Sequence, residues 1–130
     1  MKDTNVYVLD DDASVRIGFT RLLTVAGYNV HTYASANEFL AEVGSIVSGC
    51  VVLDSRMPGL TGGELIESLS ARSPNLAVIF VTADDDSNTK KIAKKMNAAG
   101  FFQKPVDGKA LVHLVRTDLL PKRQRPTNQL

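Results

Sequence analysis

Two short runs constrain this chain most. Cys50–Asp54 (CVVLD) and Ala77–Thr82 (AVIFVT) are apolar and rich in β-branched residues until a polar residue ends each one. A strand with one wet face alternates apolar and polar residues. A run that does not alternate belongs to a strand covered on both faces, the condition of central strands in a parallel sheet. Three further runs read as strands of the same sheet: Asn5–Asp10 (NVYVLD), Asn29–Tyr33 (NVHTY) and Gly100–Gln103 (GFFQ). In Asn29–Tyr33 the apolar Val30 stands between polar neighbours, which suits an edge.

Helical patterns separate these runs. Val15, Phe19, Leu22, Leu23 and Ala26 form one apolar stripe at helical spacing, and Gly27 follows where the helix must stop. Ser35–Ala36–Asn37–Glu38 and Thr61–Gly62–Gly63–Glu64 are capping-box patterns. The first predicts a helix through about Val43, the second a helix ending before Pro74. Ser87 suits the cap of a fourth helix through about Ala98, and Asp107 that of a fifth running to Leu120, ahead of Pro121. Strand and helix thus alternate five times. That order predicts an α/β fold: a parallel sheet joined by right-handed crossovers, with helices on both faces, in a three-layer sandwich. In such sheets a ligand sits beyond the carboxyl ends of the strands, at the point where strand order reverses.

Composition removes other classes. A chain of 130 residues suits one domain. No apolar run approaches the roughly 20 residues that span a bilayer. The start, MKDTNVYVLDDD, turns acidic where a signal peptide would stay apolar, so secretion is not expected. The single cysteine, Cys50, excludes an internal disulfide framework and a cysteine zinc cluster, and reads as a small core residue. With 6% aromatics and no tryptophan, a base-stacking platform is disfavoured. The net charge of +1 hides a split: residues 1–70 carry 4 Lys/Arg against 9 Asp/Glu, and residues 71–130 carry 11 against 5. An acidic site and a separate basic surface are expected. Residues 121–130 (PKRQRPTNQL) are polar, with two prolines and three cations, and read as an exposed tail or linker.

The strand ends carry the chemistry. The first run ends in Asp10–Asp11–Asp12, the third in Asp54, the fourth in Thr82, and the fifth is followed by Lys104–Pro105. Crowded carboxylates raise one another's pKa or recruit a cation. An all-oxygen set without His or Cys favours a hard cation, and magnesium fits because it accepts a couple of carboxylates together with waters and phosphate oxygens. A carboxylate beside a metal can be a nucleophile that forms an aspartyl phosphate. Thr82 would then hydrogen-bond one phosphoryl oxygen and Lys104 neutralise another. An Asp at a strand's carboxyl end is also an ordinary turn or cap residue, and Asp12, directly ahead of the first helix, suits that role.

Taken together, these segments resemble the receiver domain of two-component response regulators, a CheY-like family, and lean toward its FixJ/NarL-type group. VYVLDDD resembles the first strand with its acidic pair, and VVLDSRMPGLTG the segment around the phosphorylated aspartate. FVTA and FFQKP resemble the hydroxyl and Lys-Pro segments. The resemblance covers about residues 4–120. It implies a flavodoxin-like (βα)5 fold with sheet order 2-1-3-4-5. It implies a receiver over residues 1–120, with residues 121–130 a tail or linker to an output domain. By the same resemblance, Asp54 is the phospho-acceptor, and Asp11 and Asp54 bind Mg2+ directly with the main-chain carbonyl of Arg56. Asp10 acts mostly through a metal-bound water. Thr82 follows the phosphoryl group, Lys104 pairs with the acidic site, and the Lys104–Pro105 peptide is cis. Phe101 is the switch aromatic, with Phe102 the other candidate, and core packing is the plain alternative for either ring.

The function implied is a phosphorylation-controlled switch rather than an enzyme with an external substrate, although the domain supports its own phosphotransfer and dephosphorylation. The implied partners are a sensor histidine kinase and, on phosphorylation, a second copy of the domain. DNA would be reached only through an output domain, no membrane is involved, and the location is cytoplasmic. The implied output surface comprises the fourth helix, fifth strand and fifth helix. The fourth helix carries Lys90, Lys91, Lys94 and Lys95, which also fit a plain solvated face. Arg56 and Asp84 flank the site, and their side chains are expected to meet across its mouth. His31 and His113 lack partners at motif spacing and read as structural. Two other readings compete. A Mg-dependent phosphatase working through the same aspartyl phosphate lacks the chain length for a substrate cap. A flavodoxin-like flavin module lacks a Ser/Thr/Gly-rich loop after the first strand, where acidic residues would repel a flavin phosphate.

Overall fold

The computed structural model describes residues 5–43, 49–54, 76–82, 91, 94 and 98–118. Its elements are β1 (Asn5–Leu9), α1 (Ala13–Val25), β2 (Asn29–Tyr33), α2 (Ala36–Val43), β3 (Gly49–Asp54), β4 (Leu76–Thr82), β5 (Gly100–Gln103) and α3 (Gly108–Asp118). The expected helices between β3 and β4, and between β4 and β5, lie outside the described residues apart from Lys91 and Lys94, which are helical and exposed.

The five strands form one parallel sheet in the order β2-β1-β3-β4-β5. The non-alternating runs are its interior: Cys50, Val51 and Leu53 of β3 and Ile79 of β4 are wholly buried. The alternating run is the edge strand β2. On one face, Leu23 of α1 and Leu111 and Val115 of α3 pack against Val6, Val8, Cys50, Val52, Ile79 and Val81. On the other, Ala36 and Phe39 of α2 pack against Leu9, Val51, Leu53 and Phe80. The expected layers of helix, sheet and helix are present, and each fully buried Val, Leu, Ile or Phe side chain contributes about 1.5–3 kcal/mol of transfer free energy.

Local signals set the helix bounds. The Asp12 carboxylate accepts from the Ser14 N–H at 2.8 Å and caps α1. At the other end the Tyr28 N–H reaches the Leu23 carbonyl and the Gly27 N–H that of Thr24, a Schellman closure. It requires the φ of +102° that Gly27 supplies. Ser35 accepts from the Glu38 N–H, while the Glu38 carboxylate reaches back to the Ala34 N–H, one residue before the usual capping-box partner. Asp107 accepts from the Lys109 and Ala110 N–H groups ahead of α3. His31 stacks on Tyr7 with centroids 5.2 Å apart, and His113 is exposed on α3.

One boundary differs from expectation in a way that bears on the site. β1 ends at Leu9, and Asp10 stands just past it. The Asp10 N–H still reaches the Tyr33 carbonyl at 3.1 Å, as a strand residue would. Its own carbonyl accepts from Arg16 Nη1 at 2.8 Å.

Candidate functional site

Strands β1, β3 and β4 end side by side, and parallel pairing sends all their carboxyl ends to one edge. Asp10, Asp54 and Thr82 stand there, buried at 1%, 7% and 0% exposure, beside the exposed Asp11. Ligand oxygens of Asp10, Asp11 and Asp54 lie within 4.8 Å of one another. Three carboxylates at that spacing need positive charge. Part of it comes from Lys104, whose Nζ is 2.9 Å from Asp10 Oδ2 and 3.8 Å from Asp54 Oδ2. Burial alone would lower the Lys104 pKa. The hydrogen bond to Asp10 and the charges of Asp54, Asp10 and Asp12 outweigh it, so the ammonium holds its proton above the ordinary 10.5. The Lys104 N–H donates to the Thr82 carbonyl at 2.7 Å, which ties the loop after β5 to the end of β4, and the Lys104–Pro105 peptide is cis.

The donor set is all oxygen, offers no nitrogen or sulfur among the described residues, and stays open to solvent on the Asp11 side. This is the chemistry of a hard divalent cation that keeps part of its water shell, and the residues fit magnesium. Asp12 does not join the cluster, because its carboxylate is spent on the α1 cap. Its N–H nevertheless donates to Asp10 Oδ1 at 2.9 Å, so Asp10 has a partner on each oxygen.

The two phenylalanines after Gly100 face opposite ways. Phe101 packs with Phe80 and Leu9 on the α2 face, and Phe102 with Ile79 and Val81 on the α1 and α3 face. Alternation along β4 puts Thr82 on the same face as Phe80, hence on that of Phe101. Arg56, Asp84, Lys90 and Lys95 lie outside the described residues.

Two neighbouring features have no counterpart in the motifs. An apolar groove lined by Val15, Phe19, Leu22, Pro105 and Val106 runs up to Lys104. On the other side, Arg16 borders a surface hollow with Tyr33, Glu38 and Glu42. Burial, then the Glu42 carboxylate, pushes the Tyr33 phenol up to about 12. Arg16 stands in the first turn of α1, six residues past Asp10, and belongs to none of the motifs.

Comparison with known proteins agrees with this fold. Residues 6–116 match the family described as response regulator receiver domain. The chain is 40% identical over 114 residues to the transcriptional regulatory protein FixJ of Azorhizobium caulinodans, covering 88% of this chain and 54% of that protein. The crystal structure of full-length FixJ from B. japonicum superposes with a TM-score of 0.81 at 34% identity, over 91% of this chain and 58% of that one. A CheY-like receiver domain from Methanospirillum hungatei shares the fold with a TM-score of 0.82 at 24% identity, covering 89% and 93% of the two chains. The chain spans about half the length of the regulators it matches.

Proposed function

This chain belongs to the response regulator receiver domain family, whose members are phosphorylation-controlled signalling switches, and on that premise we propose that Asp54 is the residue that takes the phosphoryl group. The observation that carries the assignment is the position of Asp54: buried at the end of a central strand, within the Asp10 and Asp11 cluster, with the Lys104 ammonium 3.8 Å away. The donor is the phosphohistidine of a sensor histidine kinase. An Asp54 oxygen attacks the phosphorus, the bond from phosphorus to the donor nitrogen breaks, and the imidazole leaves with the electron pair. Asp10, Asp11 and Asp54, with the main-chain carbonyl of Arg56, would hold Mg2+, which when bound supplies charge neutralisation for Asp54 and the incoming oxygens. Lys104 shares that work: it leaves Asp10 for a phosphoryl oxygen without crossing more than the width of the cluster. The groove beside Lys104 offers apolar surface on which the donor protein can rest while its phosphohistidine reaches the edge.

The Thr82 hydroxyl follows the phosphoryl group, and Phe101 fills the space it vacates. Their common face supports Phe101 over Phe102 in this role. The domain has no external substrate; its output is a shift between two surfaces. In a longer regulator that shift would control transcription through an output domain beyond residue 130, joined by the polar residues 121–130, and DNA is met only there. We assign the exposed, helical Lys91 and Lys94 to a surface used by a phosphorylation-dependent homodimer. Sedimentation with and without beryllofluoride tests it, and a monomer in both conditions at high concentration removes it.

The assignment of Asp54 is tested by intact-mass measurement after treatment with a small-molecule phosphodonor and Mg2+. The wild type gains one phosphoryl group and Asp54→Asn gains none. Undiminished phosphorylation of Asp54→Asn would place the acceptor elsewhere.

A further inference from the structure

Asp11 is the exposed member of the cluster, and among the described residues no protein group holds its carboxylate. Asp10 is held by Asp12 and Lys104, so its aim is set by direct partners. Asp11 takes its aim from the backbone, in particular from the Asp10–Asp11 peptide. The carbonyl of that peptide accepts the 2.8 Å hydrogen bond from Arg16 Nη1. The preceding N–H of Asp10 is tied to Tyr33 at 3.1 Å. Arg16 is itself fixed, because its N–H bonds the Asp12 carbonyl at 3.1 Å in the capped first turn of α1. The guanidinium thus holds the carbonyl side of the peptide from which Asp11 projects, while the Asp12 N–H to Asp10 Oδ1 bond closes the turn on the other side of Asp11.

We infer that Arg16 is a positioning residue for the divalent-cation site, acting through the Asp10 carbonyl to aim Asp11. The inference rests on the reading of the acidic cluster as a Mg2+ site. Without Arg16 the Asp10 carbonyl loses its bond and only the flanking Asp10 and Asp12 N–H bonds hold the turn, so Asp11 samples a wider range of positions, including ones from which it does not meet the other two carboxylates. The guanidinium touches neither the ligand oxygens nor the reacting atoms. Its loss therefore acts on cation affinity first, and on phosphorylation only as far as that depends on the cation.

The test is titration of the full chain with Mg2+ alone, followed by amide NMR shifts, which report folding and binding together and need no phosphodonor. Arg16→Ala is expected to weaken Mg2+ binding about 10-fold, the lower end of what an outer partner of a metal ligand contributes. Arg16→Lys, which keeps one donor within reach, recovers part of that loss. The effect of Arg16→Ala largely disappears when Asp11→Asn is already present, since the aim of a weakened ligand no longer matters. If Arg16→Ala does not fold, Arg16→Met keeps the aliphatic stem and removes only the donors, and the same expectations apply to it. A folded variant with a Mg2+ affinity within twofold of wild type would overturn the inference. So would an equal loss in the Asp11→Asn background. Failure of the wild type itself to bind Mg2+ would instead overturn the cation site and this inference with it.

Discussion

Strand β3 is two regions in one element. From Cys50 to Leu53 it is buried among aliphatic side chains of both faces, and one residue later it ends on a carboxylate. β1 repeats the pattern, with Val8 and Leu9 wholly buried ahead of Asp10, and β4 ends its apolar run on the buried hydroxyl of Thr82. The interior gains from every group taken out of water. The edge takes charged groups out of water and must answer each one with a partner: Lys104 and the Asp12 N–H for Asp10, and Lys104 for Asp54. Stability therefore comes mainly from the interior, and the edge is where the proposed cation and phosphoryl group would change which partners are satisfied.

That division is open to direct attack. The largest effect belongs to the interior. Phe80→Ala removes a side chain at 1% exposure and should cost about 3–5 kcal/mol in denaturant unfolding. Whatever fraction stays folded should keep wild-type Mg2+ affinity. A selective loss of Mg2+ binding in a fully stable Phe80→Ala would show that this interior residue serves the site and not the fold.

Lys104→Met comes next. It leaves Asp10 and Asp54 without their ammonium and should cost about 1–3 kcal/mol without added metal. Mg2+ should narrow the gap to wild type, because the cation supplies charge that Lys104 no longer brings. The pH dependence has a definite sign. The Lys104 pKa is raised in the folded chain, so its stabilisation is complete below the ordinary 10.5 and is lost as pH rises through the raised value. Unfolding of Lys104→Met should lack that decline. Parallel profiles for wild type and variant in this alkaline range would show that the ion pair is not what holds the edge.

The smallest effect separates two neighbours in one acidic run. Asp12→Ala removes the α1 cap, and with it the least of the charges that act on Lys104, and should cost about 1 kcal/mol, with Mg2+ affinity within twofold of wild type. Asp11→Asn should do the reverse, sparing stability and weakening the cation. If both variants lost Mg2+ binding equally, Asp12 would belong to the site as well.

Much of this arrangement was legible in the residues. The non-alternating runs marked the interior strands, and Val30 between polar neighbours marked the edge. Asp12, Ser35 and Asp107 each cap the helix their position predicted. The strand-end residues converge because parallel pairing leaves them no other place, and order along the chain is enough to see that. What the residues did not show depends on contacts across the chain. Nothing in MKDTNVYVLDDD says that the strand stops at Leu9, or that the next carbonyl meets a guanidinium six residues further along the chain. Phe101 and Phe102 are chemically alike and alternate faces in any strand, and only the β4–β5 register, Phe80 against Phe101, says which of them shares a face with Thr82.

We propose that one cluster at the sheet edge carries both the cation and the phosphoryl chemistry. Its most direct test is the initial rate of Asp54 phosphorylation by a small-molecule phosphodonor, measured against Mg2+ concentration and set beside the Mg2+ binding curve of the unphosphorylated chain. The two curves should share a midpoint, and both should shift to higher Mg2+ in Asp11→Asn. Full-rate phosphorylation of Asp54 in the presence of a metal chelator would contradict it.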